Sequence, residues 1–333
     1  MQNDSLTREL QKLPDCPRDR QSLGPTARLA RLAVVLFLAL PGMQAQTKQP
    51  DFSSIDHIVS TAIDGHKLPG AVVIVGHDGK IVFHKAYGER SLVPERTPMR
   101  EDTVFDMASI TKILATSIAA MVLYDQGCFR LNDPVAKYFP SIAVSGKQDI
   151  TIRQLMTHYS GLSEGVELKE LWPGKKEGFE RSFAIAPMRP AGKAFSYSDI
   201  NFILMGALVE KFSGMSLDEY TAKYVFAPLG MEHTCFLPPV SWRGNIAPTQ
   251  FDEDHHMLLG VVHDPTARRM GGVAGHAGRF STAGDVAIYA QSLLDRLQGR
   301  PSKFPVNRLT LEKMTTPQQL ASGSSLRGLG WDI

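Results

Sequence analysis

Apolar positions near the start of the chain follow two different rhythms. In "DFSSIDHIVSTAI", Ile55, Ile58, Val59, Ala62 and Ile63 recur at the spacing of one helix face, with Ser53 or Ser54 placed to cap it. "GAVVIVGHDGKIVFHKAYGE" follows, two β-branched runs around Asp78-Gly79. Asp-Gly favours the positive φ angles of a tight hairpin turn. The pattern therefore predicts helix, strand, turn, strand.

From Ser109 onward the pattern is mainly helical. Ser109 to Gln126 predicts a helix closed by Gly127 in the left-handed conformation. Thr151 with Gln154, and Ser216 with Glu219, stand at capping-box spacing. Asp199 to Phe212 runs to a stop near Gly214, and "STAGDVAIYAQSLLDRL" starts from Ser281 or Thr282. Residues 238–278 are loop-rich. Two strands alone are marginal, so the hairpin needs sheet partners from later in the chain. "GLGWDI" at the end reads as the start of one, with its partner strand not included.

Residues 1–45 differ from the rest. Arg28 and Arg31 precede an apolar run from Leu32 to Leu40, then Pro41-Gly42 and the small residue Ala45. This is the layout of a cleaved secretory signal, and the run is short for a membrane span. The stretch before Arg28 is long for a signal, as a start codon assigned too far upstream would produce. The expectation is an exported protein, periplasmic or extracellular, with a mature chain from residue 46. No cysteine marks a lipid anchor at the cleavage region. Cys16 would be lost, leaving Cys128 and Cys235. These could form one disulfide, but two separate buried thiols is the simpler expectation.

Composition adds exclusions. Apolar residues make up 43% and charged residues 21%, an ordinary globular balance, and the net charge is +2. That charge does not suit a phosphate-tracking surface, so nucleic acid is not an expected partner.

The chemistry begins at "FDMASITKILATS". Ser109 and Lys112 are three residues apart, which in a helix means one face and about 4.5 Å along the axis. Serine is a poor nucleophile until a base takes its proton. Lysine can be that base when burial lowers its pKa, and Ile110, Ile113, Leu114 and Ala115 offer apolar surroundings. A helix N-terminus also favours a developing oxyanion. Taken alone, Ser109 could equally be an N-cap and Lys112 a snorkelling surface lysine. Tyr197, in a turn before an apolar helix, adds a phenol that a nearby lysine cation could help to shuttle a proton. It could also be an amphipathic surface tyrosine.

At these residues the chain resembles the serine hydrolases related to class C β-lactamases and D-alanyl-D-alanine peptidases, especially exported penicillin-binding-protein-like and esterase-like members. The resemblance rests on "LPGAVVIVGHDGKIVFHKAYG", "FDMASITKILATS", "LNDPVAKYFP", "ITIRQLMTHYSGL", "FSYSDINFILMGALVE" and "GGVAGHAGRFSTAGDVAIYAQSLL". It covers about residue 55 to 333. It implies an α+β, β-lactamase/transpeptidase-like fold, with an antiparallel sheet flanked by helices and a mainly helical subdomain over about 110–250. It implies acyl-enzyme chemistry on peptide, ester or β-lactam substrates, with Ser109 as nucleophile, Lys112 as its proton partner and Tyr197 as general base. A backbone N–H of Ser109 would form half the oxyanion hole. No metal or organic cofactor is implied, and the oligomeric state is not indicated.

Two departures stand out. The family's Tyr-x-Asn reads Tyr197-Ser198-Asp199 here. An ionised aspartate only accepts hydrogen bonds, so Asp199 could hold Lys112, but a contact to a substrate amide becomes doubtful. The expectation is a cell-wall-related peptide or ester substrate rather than efficient β-lactam hydrolysis. The third family motif, His-Thr-Gly or Lys-Thr-Gly on a strand, has a tempting counterpart in His276-Ala277-Gly278. Because "RFSTAGDVAIY" caps a helix rather than continuing a strand, the true motif is expected after Ile333. The C-terminal strands and closing helix would follow it, and His276 remains a weaker cleft-lining candidate.

Two other classes compete. "FDEDHHMLLGVVHD" gathers Asp252, Asp254, His255, His256, His263 and Asp264, but without zinc-site spacing or an H-E-x-x-H motif, so a metal-dependent hydrolase is the weaker reading. A non-catalytic penicillin- or muropeptide-binding module keeps the fold without turnover, and the intact Ser109, Lys112 and Tyr197 argue against it.

Overall fold

The computed structural model of the chain describes residues 50–319 and 325–333; the expected signal, residues 1–45, lies outside them. The first helix, α1 (Ser53–Asp64), starts where the pattern places it, but neither serine caps it. Phe52 is at the cap position, and the Asp51 carboxylate accepts the Ser53 N–H at 2.9 Å. An ionised acceptor is the stronger of the local choices. The hairpin β1 (Gly70–His77) and β2 (Lys80–Ser91) forms as expected. Asp78 (φ 48°) and Gly79 (φ 74°) both adopt the positive angles of its two-residue turn. The Asp56 carboxylate accepts from Tyr87 Oη at 2.5 Å and pairs with Lys85 at 2.7 Å, which ties α1 to β2.

The hairpin's third strand is β3 (Thr97–Pro98), giving the order β1-β2-β3. A second sheet has the order β4-β6-β5, from β4 (Val104–Asp106), β5 (Cys235–Phe236) and β6 (Arg279–Thr282). The described residues thus hold two small antiparallel sheets where one had been expected. "GLGWDI" adds no strand to either. Arg327 and Asp332 form an isolated bridge around a tight turn, in which the Gly328 N–H bonds Trp331 O at 2.9 Å. The N–H groups of Leu329 and Gly330 go to Met314 O and Met156 O, so helix ends take the hydrogen bonds a ladder would have used.

The helical region is built around α5 (Asp199–Ser213), named after α2 (Ile118–Asp125), α3 (Ile152–Met156) and α4 (Lys175–Ala184) in chain order. Helix α5 is buried on nearly every side, with Ile200, Phe202, Ile203, Met205 and Leu208 all in the core. Such a helix carries little amphipathic pattern because it has no solvent face. Gly214, at φ 68°, closes it. The Thr151–Gln154 capping box starts α3. The Ser216 N–H bonds Glu219 at the start of α6 (Leu217–Thr221), which continues through a π turn into α7 (Ala227–Leu229). Helix α8 (Pro265–Arg269) sits in the loop-rich region. Thr282 caps α9 (Ala283–Leu297) by accepting the Asp285 N–H at 3.1 Å, and α10 (Arg308–Met314) follows. "RFST" therefore does two things: it is strand β6 and it leads into α9, which corrects the expectation that it only caps a helix. Cys235 is a free thiol, so it does not pair with Cys128.

Candidate active site

Ser109 lies on a tight 3₁₀ turn (Ala108–Ile110) directly after β4, and a π turn (Lys112–Ser117) leads from there into α2. The expected regular helix over Ser109–Gln126 is thus three successive helical types ending at Gly127 (φ 79°). In a 3₁₀ turn residues i and i+3 eclipse, which keeps Ser109 and Lys112 on one face. Ala108 has φ 43°, the left-handed region that a non-glycine residue enters at a cost of about 1–3 kcal/mol. Its surroundings hold it there. Asp106 Oδ1 accepts the Ala108 N–H at 2.8 Å, and its Oδ2 accepts the His263 N–H at 2.7 Å. The Met107 N–H bonds Arg279 O at 2.8 Å, which fastens the turn to β6. Ser109 is left exposed on a strained, braced corner.

Lys112 is almost wholly buried, at 3% exposure. Its Nζ donates to Ser109 Oγ at 2.9 Å and to the His276 carbonyl at 3.1 Å. It pairs with Asp199 Oδ1 at 2.7 Å. It also lies 4.9 Å from the ring centre of Tyr197. Of the residues expected to enclose it, Leu114 and Ala115 are buried, whereas Ile110 is 48% exposed.

Tyr197, 37% exposed, lies on the extended approach to α5. Its ring stacks on His158 at 4.4 Å and 27°. His158 was not singled out by the sequence. Burial pushes its pKa down to about 3, helped by the Arg327 and Lys112 charges, so the ring is neutral. Its Nδ1 accepts the Ser198 N–H at 3.1 Å and faces Asn201 Nδ2 at 3.0 Å, which places the remaining proton on Nε2. Asn201 is in turn held by Ser160 Oγ at 2.6 Å. His158 is therefore a flat, uncharged support beneath Tyr197, locked to the first turn of α5.

Asp199, the first residue of α5, sits where an acidic side chain suits the helix dipole and where it reaches Lys112. His276 lies elsewhere than expected. Its ring is 0% exposed and bonds Asp264 Oδ1 at 2.9 Å, so it does not line the open cleft. Burial alone would raise the Asp264 pKa, but the His276 hydrogen bond, the Ala267 N–H and the Lys112 charge hold it down to about 2. Asp199, Asp264 and His276 each bring one donor atom within 4.8 Å of the others, a spacing that would suit a cation. His276 already engages Asp264 and Asp199 already engages Lys112, so the lysine supplies positive charge to this cluster. Within the acidic and histidine-rich loop, Asp252 instead accepts the Asp254 and His256 N–H groups, and of that segment's six candidates Asp264 is the one in the cluster.

A groove of about 950 Å³ opens beside Ser109, walled by Ala71 and Ile74 of β1, Phe105, and Val286 and Ala290 of α9. It is largely apolar; Ser109 is among its lining residues, whereas Lys112, Tyr197 and Asp199 lie outside it.

The family described as Beta-lactamase matches residues 55–333. The N-acetylmuramyl-L-alanine amidase of Bacillus subtilis (strain 168) is 31% identical over 289 residues, covering 76% of this chain and 65% of the amidase. The "Putative D-alanyl-D-alanine carboxypeptidase" of Escherichia coli (strain K12) is 28% identical over 316 residues, covering 84% of this chain and 71% of that protein. The chain thus spans about two thirds of the length of these curated relatives. Among solved structures, the octameric penicillin-binding protein homologue from Pyrococcus abyssi aligns with a TM-score of 0.67 at 24% identity, over 84% of this chain and 64% of that one. A class C β-lactamase from Rhodobacter sphaeroides aligns with a TM-score of 0.66 at 23% identity, over 84% of this chain and 75% of that one. At these identities the structural matches speak for the fold.

Proposed function

The chain belongs to the β-lactamase family, and from that premise we propose that it is a serine hydrolase that forms an acyl-enzyme on Ser109 with cell-wall-type peptides or esters. The observation that carries this is the 2.9 Å contact of Lys112 Nζ with Ser109 Oγ, on a braced corner that opens into an apolar groove. With Tyr197 acting as the phenolate beside the Lys112 ammonium, Ser109 Oγ attacks the acyl carbon as its proton passes to the phenolate oxygen. The same phenol then protonates the departing amine or alcohol, and water repeats the sequence to release the acid. Negative charge developing at the phenol or the serine oxygen is met by the Lys112 ammonium, which Asp199 anchors without occupying its contact to Ser109. The names of the amidase and carboxypeptidase relatives support a cell-wall peptide as acyl donor. Asp199 in place of the family's asparagine favours peptide or ester over β-lactam, because the carboxylate is an acceptor only and is committed to Lys112.

Reacting the full chain with a fluorophosphonate and mapping the adduct by mass spectrometry tests the chemistry, with label expected on Ser109. Comparing kcat/KM for a D-alanyl-D-alanine peptide, a short p-nitrophenyl ester and nitrocefin tests the substrate class. Nitrocefin turnover more than about tenfold above both others, or about 1.4 kcal/mol of transition-state binding, would refute the preference. The charged and then apolar layout of residues 28–45 supports export followed by cleavage near Ala45. N-terminal sequencing of the secreted protein checks this, and retention of Arg28 and Arg31 would overturn it.

A further inference from the structure

We propose that the buried Asp264–His276 pair is a positioning device for the active site: it holds the glycine-rich loop so that the His276 carbonyl fixes Lys112 against Ser109. The inference rests on the acyl-transfer reading of that serine.

The loop "GGVAGHAG" (residues 271–278) contains four glycines in eight residues. Such a segment has much backbone freedom to lose, so it keeps one shape only where contacts impose it. Gly275 permits close approach to α5: a Cβ there would lie 1.9 Å from Phe202 O and 3.0 Å from Gly206 N. The Gly275 carbonyl accepts from Thr116 Oγ1 at 2.6 Å. The next carbonyl, that of His276, accepts from Lys112 Nζ at 3.1 Å. Lys112 and Thr116 belong to the same π turn, so the loop reads both ends of one helical turn.

The ring of His276 is the loop's buried polar anchor. It is fully enclosed, its Nδ1 has no partner among the described residues, and Nε2 bonds Asp264 at 2.9 Å. The same Asp264 oxygen accepts the Ala267 N–H at 2.7 Å and so caps α8. One carboxylate thereby joins a short helix to the loop. The ring itself does not touch Lys112; the contact runs through the backbone carbonyl. His276 therefore carries no proton in the reaction, and its effect must appear as misplacement of the lysine. Misplacement by about 1 Å can cost about 10²-fold in rate.

The test uses the full chain, a fluorophosphonate and a short p-nitrophenyl ester. His276→Leu fills the site without a donor, whereas His276→Gln can still donate to Asp264. Folding is followed by circular dichroism and thermal melt. His276→Leu should lower the labelling rate of Ser109 and kcat by about tenfold or more, with KM within about twofold, and His276→Gln should recover most of the loss. If His276→Leu does not fold, Asp264→Ser replaces it. Serine keeps the cap on α8 but is too short to reach the ring, so it should show the same fall in kcat. A folded His276→Leu or Asp264→Ser protein with unchanged labelling overturns the inference, as does a His276→Gln protein as slow as His276→Leu. Absence of label on Ser109 in the unaltered chain would instead overturn the acyl-transfer reading, and this inference with it.

Discussion

Lys112 and Asp199 meet as an ion pair of 2.7 Å, the lysine side chain 4% exposed and the aspartate 25%. They are far apart in sequence, one on the turn after β4 and the other at the head of α5. A buried ammonium needs a matching anion, and the pairing fixes the distance between the serine-bearing turn and the tyrosine-bearing approach to α5. Removing the anion alone strands the cation. Asp199→Ala should therefore lower stability by about 3 kcal/mol, the lower end for breaking a buried pair because the aspartate is partly exposed. Urea denaturation measures this, and a loss below about 1 kcal/mol would show that the pair contributes little.

The catalytic assignments separate by kinetics. Ser109→Ala should abolish acyl adduct formation. Lys112→Ala and Tyr197→Phe should each slow acylation by at least about 10²-fold, the scale of acid–base assistance. Rapid-quench mass spectrometry reads all three. An adduct on another residue in Ser109→Ala would remove the serine from its role.

His158 makes stability depend on acid. Its pKa is near 3 when folded against an ordinary value of 6.5, so between these values the unfolded chain binds more protons. Stability from this residue is complete above pH 6.5 and is lost as pH falls toward 3. Between pH 6.5 and 4 the loss is about 3 kcal/mol. His158→Gln, which cannot titrate, should be less stable than the unaltered chain at pH 7 but close that gap at pH 4. Parallel denaturation curves at the two pH values test this, and a constant gap would contradict it.

Arg279 offers a contrast in how a buried cation is tolerated. Its guanidinium lies between Phe226 and Phe236, 4.0 and 4.1 Å from their ring centres, and Nη2 bonds Thr221 Oγ1 at 2.6 Å. Complete burial pushes its pKa down to about 9. A flat guanidinium can stack between two rings; an ammonium cannot. Arg279→Lys should cost about 2 kcal/mol, while Arg279→Met, which removes the buried charge, should be within about 1 kcal/mol of the unaltered chain. Thermal melts of both variants decide, and equal losses would show that shape rather than charge governs the position.

The sequence by itself determined what depends on neighbours along the chain. Ser109 and Lys112 share a face because they are three residues apart, Asp78-Gly79 turns because of its φ preferences, and Thr151 with Gln154 caps because the spacing closes the hydrogen bonds. Its place before an apolar helix singled out Tyr197, and motif resemblance gave it a role and added Asp199. Tertiary structure decided the rest, since it concerns contacts between distant segments. No periodicity marks His158 as the support under Tyr197, or Asp264 as the anchor of His276, because a single buried polar residue leaves no repeat to read. Local pattern also misplaced Ile110, which an apolar run suggests is enclosed but which a 3₁₀ turn rotates into solvent. It also gave "GLGWDI" to a strand whose partner is not included; here the N–H groups of Leu329 and Gly330 bond Met314 O and Met156 O. Local spacing chooses an element's conformation; which partner satisfies its polar groups is settled only when the core closes.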